Sequence, residues 1–533
     1  MKKFAFAAAL IACAAIMVSL ASAQASSQRI TPDESKRIQP TGIHVLPNAV
    51  ERTMEQMDAF EATYMAPGER EEPAPRPTID ANVYAQMKRA AQLAPYMAKP
   101  SASSPELLAP KVTTKFVGAT ECDGPGGCWL PPDVAGAIGK SNYVSVSNDE
   151  IEFRSRGGAV QKITSLNAFF GYSTESMFDP RVQYDETYQR FVVTCLGFQE
   201  STTVQYLGIA VSQTNNPMGK WWIFFDNVTP IVGTGGFYDF DMLGMNQDAL
   251  LFTANLFGAT QFEGSSLFAV AKARLYNGFG YGVPYWTGLV ATLQPNHTTL
   301  FDQNGYAWLA AAPGGSGNIY MYAMGYPASP QDTGVYGYYT VSGVAAYSVP
   351  PGAPQPASCA PAGALLDSLD NRFQNVGVQD GDVFYQTHAI ALGSYTANRY
   401  YVITGLDSFA PTVAAQNIFY ASGSSNDWNP SVAADPAGHF ALNWSYTDTS
   451  VLASERYADN SAGNPFGATG INVFTSASCY TGVGTSRWGD YSSTGLDPGT
   501  GATSSSTTKI FWIDNETIPS ANFWSTEIAK ITY

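Results

Sequence analysis

The sequence predicts an all-β fold, a β-propeller of about seven blades, behind a short, partly helical N-terminal extension. Three observations carry that prediction. The first is a recurring strand–turn–strand phrase. Asp179-Pro180-Arg181-Val182 runs to Asp185 and returns through Arg190-Phe191-Val192-Val193. Asn429-Pro430-Ser431-Val432 runs to Asp435 and returns through His439-Phe440-Ala441-Leu442. Trp488-Gly489-Asp490-Tyr491 leads to Asp497 and returns through Lys509-Ile510-Phe511-Trp512. A unit of that size cannot bury both of its faces alone, so its repetition implies stacked blades. The second is a switch at Lys115 to period-two alternation, punctuated by Gly, Pro, Asn and Asp. The third is composition: charge is sparse while Tyr, Asn, Ser, Thr and Gly are plentiful, as in extracytoplasmic β proteins.

Taken in order, residues 1–23 read as a signal peptide. Lys2 and Lys3 precede an apolar run from Phe4 to Leu20, and Ala21-Ser22-Ala23 forms a small-x-small cleavage site. Secretion or periplasmic export follows; the loose lipobox Leu10-Ile11-Ala12-Cys13 offers lipid anchoring through Cys13 as the alternative. No later stretch reaches the ~18–20 apolar residues of a membrane span. Residues 24–114 form the extension, read as a pro-segment, a strap that packs on the propeller, or a flexible linker. Val50, Met54, Met57 and Tyr64 recur near helical spacing, as do Ile79, Val83, Met87, Ala90 and Ala94. Residues 115–533 are the propeller. Its blades open at Asp133, Asp179, Asp239, His297, Arg372, Trp428 and Trp488, and the Gly/Pro/Ala stretch 341–363 joins two of them.

Several phrases resemble a large group of secreted bacterial propeller proteins of the sialidase-like superfamily. They are Pro131-Pro132-Asp133-Val134-Ala135-Gly136 with Tyr143-Val144, Phe178-Asp179-Pro180-Arg181-Val182 with Arg190-Phe191-Val192-Val193, Leu366-Asp367-Ser368-Leu369-Asp370-Asn371-Arg372-Phe373, and Arg487-Trp488-Gly489-Asp490-Tyr491. The resemblance implies a propeller over roughly residues 115–533 and leaves activity open. The Ser-x-Asp-x-Gly-x-Thr-Trp boxes of true sialidases are missing.

From Thr114 onward there are 16 Lys and Arg against 33 Asp and Glu. So acidic a domain repels nucleic acid and anionic membrane rather than binding them. Of the cysteines beyond the signal, Cys122 and Cys128 flank Asp-Gly-Pro-Gly-Gly, a loop suited to a disulfide in an oxidising compartment. Cys195, Cys359 and Cys479 leave one odd thiol, and their pairing is open. A zinc site has no support: no CxxC pair occurs, and His44, His297, His388 and His439 lack ligand spacing.

In a propeller the starts of the innermost strands ring one mouth of a central channel. Asp133, Asp179, Asp239, Asp241 and Asp490 fall at those starts, beside Arg181, Arg372 and Arg487. The function expected is binding of an extracellular glycan or protein at that mouth, with Arg181, Arg372, Arg487, Trp488 and Asp490 as ligand contacts. The alternative is a glycoside hydrolase using a pair among Asp133, Asp179 and Asp241, since that chemistry needs one protonated and one ionised carboxyl. Trp129, Trp428 and Trp488 would then stack on sugar faces. Calcium would suit Asp239 with Asp241, or Asp380 with Asp382, each pair on one side of a strand because side chains alternate. Nucleophilic catalysis lacks a motif: Gly-x-Ser-x-Gly is absent, and Gly314-Gly315-Ser316-Gly317 reads as a turn.

Overall fold

The computed structural model describes residues 31–532, apart from 67, 69, 72–75, 100–109, 149, 199–203, 234, 260, 300–301, 303, 326–332, 360–363, 461–468, 482–486 and 500–508. The signal peptide and Cys13 lie outside the described residues. Among those described, no helix is long and apolar enough to cross a membrane.

Seven antiparallel blades follow one another. Their innermost strands are Ala135–Ile138, Ser176–Asp185, Phe237–Met245, Asn296–Thr298, Gly377–Asp380, Asn426–Ala434 and Ser493–Leu496. Three further strands lie outside each. In blade 4 the first strand is joined to Tyr306–Ala311 by a bridge between Gln294 and Ala310. The inner strands run in one direction, and where blades 3, 4 and 5 meet they pair in parallel, Met245 with His297 and His297 with Val378. All blades therefore begin at the same mouth.

The apolar core is distributed between blades. Ala137, Val144 and Phe153 of blade 1 pack on Val182, Phe191 and Val193 of blade 2. Trp308 and Tyr336 of blade 4 pack on Phe384 and Tyr401 of blade 5. The last such cluster closes the ring, with Ile138 and Tyr143 of blade 1 against Trp512 and Ile528 of blade 7. Blade 7 is itself shared between distant parts of the chain. Its inner three strands end at Thr532, and its outermost strand is Lys111–Thr120.

The extension forms a belt. Arg37–Ile38 adds a fifth strand to blade 4, Gly42–Val45 to blade 3 and Val50–Arg52 to blade 2. It thus winds round the rim against the blade order. Helix α1 (Met54–Glu61) follows, opened by a capping box in which Thr53 and Gln56 satisfy each other's backbone N–H groups. Its Met57 is fully buried with Phe169 and Trp221, and the Glu61 carboxylate accepts from the hydroxyls of Thr164 and Ser165. Helix α2 (Ala81–Gln92), capped by Asp80, lies further on. Both lie inside the stretches of helical spacing, but Val50 belongs to a belt strand, and Tyr64, Ile79 and Ala94 fall outside the helices.

Cys122 and Cys128 form the expected disulfide, and Cys359 pairs with Cys479. Cys195 is a buried thiol against Met177 Sδ. The second disulfide joins the segment before blade 5 to the one after blade 6, a separation of 120 residues. Loop-closure entropy puts its contribution at about 4–5 kcal/mol. Replacing Cys359 and Cys479 by Ser is expected to remove most of that in denaturant unfolding, and an unchanged midpoint would refute it.

Candidate functional site

Two of the three recurring phrases, and the start of blade 3, carry a β-bulge. Pairing slips between Phe178 and Arg181, between Asp239 and Met242, and between Trp428 and Ser431. Asp179, Phe240 and Asn429 consequently take φ of +50°, +56° and +52°, and Asp133 and Leu369 take +47° and +52° at corresponding points of blades 1 and 5. Asp and Asn tolerate this left-handed region better than other side chains bearing a Cβ. The bulge also corrects the expectation for Asp239 and Asp241. Simple alternation would aim both carboxylates one way. Instead Asp239 accepts from the Phe240 N–H at 2.9 Å, while Asp241 Oδ2 accepts from the Thr194 hydroxyl at 3.2 Å.

The mouth is a woven polar floor. Asn148 donates to Asp133 Oδ2 at 2.8 Å and accepts from the Asp179 N–H at 2.7 Å, tying blade 1 to blade 2. Asp133 Oδ1 accepts from the Asp490 N–H at 2.6 Å, tying blade 1 to blade 7. The Tyr491 hydroxyl donates to Asp179 Oδ2 at 3.1 Å, and the Arg181 guanidinium lies over the Tyr491 ring. Arg181 Nε donates to the Asp241 carbonyl at 3.0 Å. Arg372 holds Asp370 through two side-chain bonds of 2.9 and 2.8 Å, and Arg487 pairs with Asp490. Every sequence-predicted Asp and Arg of the mouth is thus brought together, and each is buried. The tryptophans are placed differently. Trp129, Trp428 and Trp488 are buried, and Trp428 and Trp488 pack edge to face at 5.5 Å. None presents a ring to a sugar.

Burial governs the acidity of this cluster. It pushes Asp179 well above the usual carboxylate range, helped by Asp133, Asp239 and Asp241. It raises Asp241 to about 7 against the pull of Arg181. Asp370 goes the other way, because Arg372 outweighs burial. Asp380 and Asp382 do not share a face: Asp380 accepts from the Thr299 hydroxyl, while Asp382 caps the Gly405 and Asp407 N–H groups. Among the described residues no group of three or more His, Cys, Asp and Glu side chains is arranged to hold a metal ion.

A cavity of about 130 Å³ runs down the axis below this floor. All seven inner strands line it, with Ala135 and Ile138, Val182 and Gln183, Leu243, His297, Val378, Ser431 and Val432, and Thr494 and Leu496. At its upper end Arg181 is shared with the aspartate floor, but Asp133, Asp179, Asp239, Asp241 and Asp490 are not among its walls. Among the described residues the one carboxylate lining the cavity is Glu186, just past the end of the Ser176–Asp185 strand, raised to about 7 by burial and by Asp185 and Asp497. His297 is held neutral, its pKa lowered to about 4 by burial and by Lys272, and its Nδ1 lies 2.9 Å from Gln183 Oε1. Glu186, Gln183 and the channel role of His297 escaped the sequence reading. Alternation along the inner strands was the available signal, but the bulges shift its phase.

No protein-family model matches the chain, and no curated protein matches its sequence. Solved structures do align with it. An exo-β-1,3-galactanase from Phanerochaete chrysosporium is 11% identical with a TM-score of 0.31, covering 79% of this chain and 100% of that one. A protein of unknown function from Dyadobacter fermentans is 11% identical with a TM-score of 0.36, covering 79% and 99%. A Penicillium chrysogenum α-L-arabinanase is 10% identical with a TM-score of 0.33, covering 62% and 94%. Likeness at this level assigns no activity.

Proposed function

We propose that this is an exported, non-catalytic binding propeller whose ligand, a small carbohydrate or the end of a larger glycan, enters the axial cavity from the side opposite the aspartate floor. The observation that carries the reading is the separation of carboxylates from cavity. A glycoside hydrolase needs two carboxyls flanking one bond, and among the described residues the cavity wall supplies Glu186 alone. What the wall offers instead is hydroxyl and amide groups, from Ser431, Thr494, Gln183 and Asn375, set among Val182, Leu243 and Val432. That mixture suits a polyol with apolar C–H faces.

Gly495 provides the test. It lines the cavity, and a Cβ built there meets only Ile138 Cγ2, at 3.7 Å. Gly495→Leu therefore narrows the channel without forcing the strand. Screening the natural chain against an oligosaccharide set should find a ligand, and the variant should bind it at least about tenfold more weakly with its Tm kept within about 2 °C. Equal affinity in the variant would place the ligand elsewhere. Release of reducing ends from any bound glycan, abolished by Asp241→Asn, would establish the hydrolase instead.

A further inference from the structure

The residues from Arg76 to Lys99 cross the mouth itself. Arg76 lies over the rings of Phe237 and Phe257 of blade 3. Tyr96 bridges to Gly393 of blade 5, and the Lys99 ammonium reaches Asp427 of blade 6 at 2.9 Å. Between them lies α2, a helix of 12 residues none of which is buried. Met87 rests against Gly315, and Lys88 supplies the helix's hydrogen-bonded attachment. The ammonium donates to the Pro350 carbonyl at 3.1 Å, to Ser368 Oγ at 3.2 Å and to the Leu369 carbonyl.

The cradle around that ammonium is fixed by bonds that do not involve Lys88. The Ser368 hydroxyl donates to the Pro351 carbonyl at 2.6 Å, leaving its lone pairs for an incoming donor. Asp367 Oδ1 accepts from the Leu369 N–H at 3.0 Å, holding Leu369 in the left-handed region. Asp370 is locked by Arg372. Three oxygens thus converge on one point, with the Asp367 and Asp370 carboxylates nearby. That geometry fits the three donors of an ammonium rather than the planar fork of a guanidinium.

We propose that the mouth contains a primary-amine site and that Lys88 is its resident occupant, a latch on a releasable strap which a lysine side chain from outside can displace. The site is separate from the axial cavity, and neither assignment depends on the other.

Hydrogen exchange on the natural full-length chain tests this. Nα-acetyl-lysine amide at about 50 mM is expected to speed exchange of the Ala81–Gln92 amides about threefold or more, with the glutamine and arginine analogues leaving them unchanged. Equal effects of all three probes, or none, would overturn the proposal. A second experiment supplies the missing group. Lys88→Ala should lower Tm, and n-propylamine, which replaces the deleted atoms, should restore at least half of the loss. Propanol and tetramethylammonium should not. A propylamine effect that is the same on the natural chain and the variant would count against the site. The exchange experiment stands on its own should K88A fail to fold.

Discussion

A chain beginning at Pro110, with the belt removed, is expected to melt at least about 10 °C below the full-length protein and to self-associate. The outer strands of blades 2, 3 and 4 now end against Val50–Arg52, Gly42–Val45 and Arg37–Ile38. Without those segments Trp221–Asn227, Gly282–Leu289 and Gly334–Thr340 become open edges, which template pairing with other chains. The core between blades 1 and 2 also loses Met57, and Asp427 loses the ammonium of Lys99. Scanning calorimetry with light scattering reads both effects. A truncated chain that stays monomeric and melts within a few degrees of the parent would show the belt to be decoration.

Melting temperature is expected to fall as pH rises, by about 5 °C or more between pH 5 and pH 8. Burial raises Asp179, Asp514, Glu455 and Glu516 well above their ordinary range, Asp241 and Asp302 to about 7, and Glu150 to about 8. The unfolded chain releases these protons near pH 4, while the folded chain keeps them. The folded state therefore binds more protons throughout the window from about pH 4 to 8, and stability drains away as pH climbs through the folded values. Asp370 and Asp448 are lowered instead, with their contribution lost in acid, and the buried His297 and His388, lowered to about 4 and about 3, oppose the fall between pH 5 and about 6.5. A Tm that is flat or rises from pH 5 to pH 8 would mean that these carboxyls are ionised inside the fold.

The blade pattern was legible because it is periodic. Asp179, Asn429 and Trp488 mark three blades by a shared phrase, and alternation supplied most of the others. Alternation misled at Asp239–Asp241, because a bulge looks like a strand until its φ angles are known. The belt strands could not be read. Arg37–Ile38 and Gly42–Val45 are too short to show a period, and they exist only because a blade edge waits beside them. The pairing of Cys359 with Cys479 depends on how blades 5 and 6 sit together, which spacing in the chain does not encode. The mouth cluster was foreseen from the strand starts. There Arg372 pairs with Asp370 and Arg487 with Asp490, while Asp133, Asp179 and Asp241 are held by Asn148, Tyr491 and Thr194, partners that the strand starts do not encode.

The composite seventh blade sets an order of events during synthesis. Lys111–Thr120 leaves the ribosome before blades 1 to 6 and must wait for Phe523–Thr532, which follows them. Until then Ile138 and Tyr143 have no Trp512 or Ile528 to cover them. A chain stalled before Ile510 would be an open crescent with an apolar flank at each tip, ready for a chaperone, a protease or another crescent.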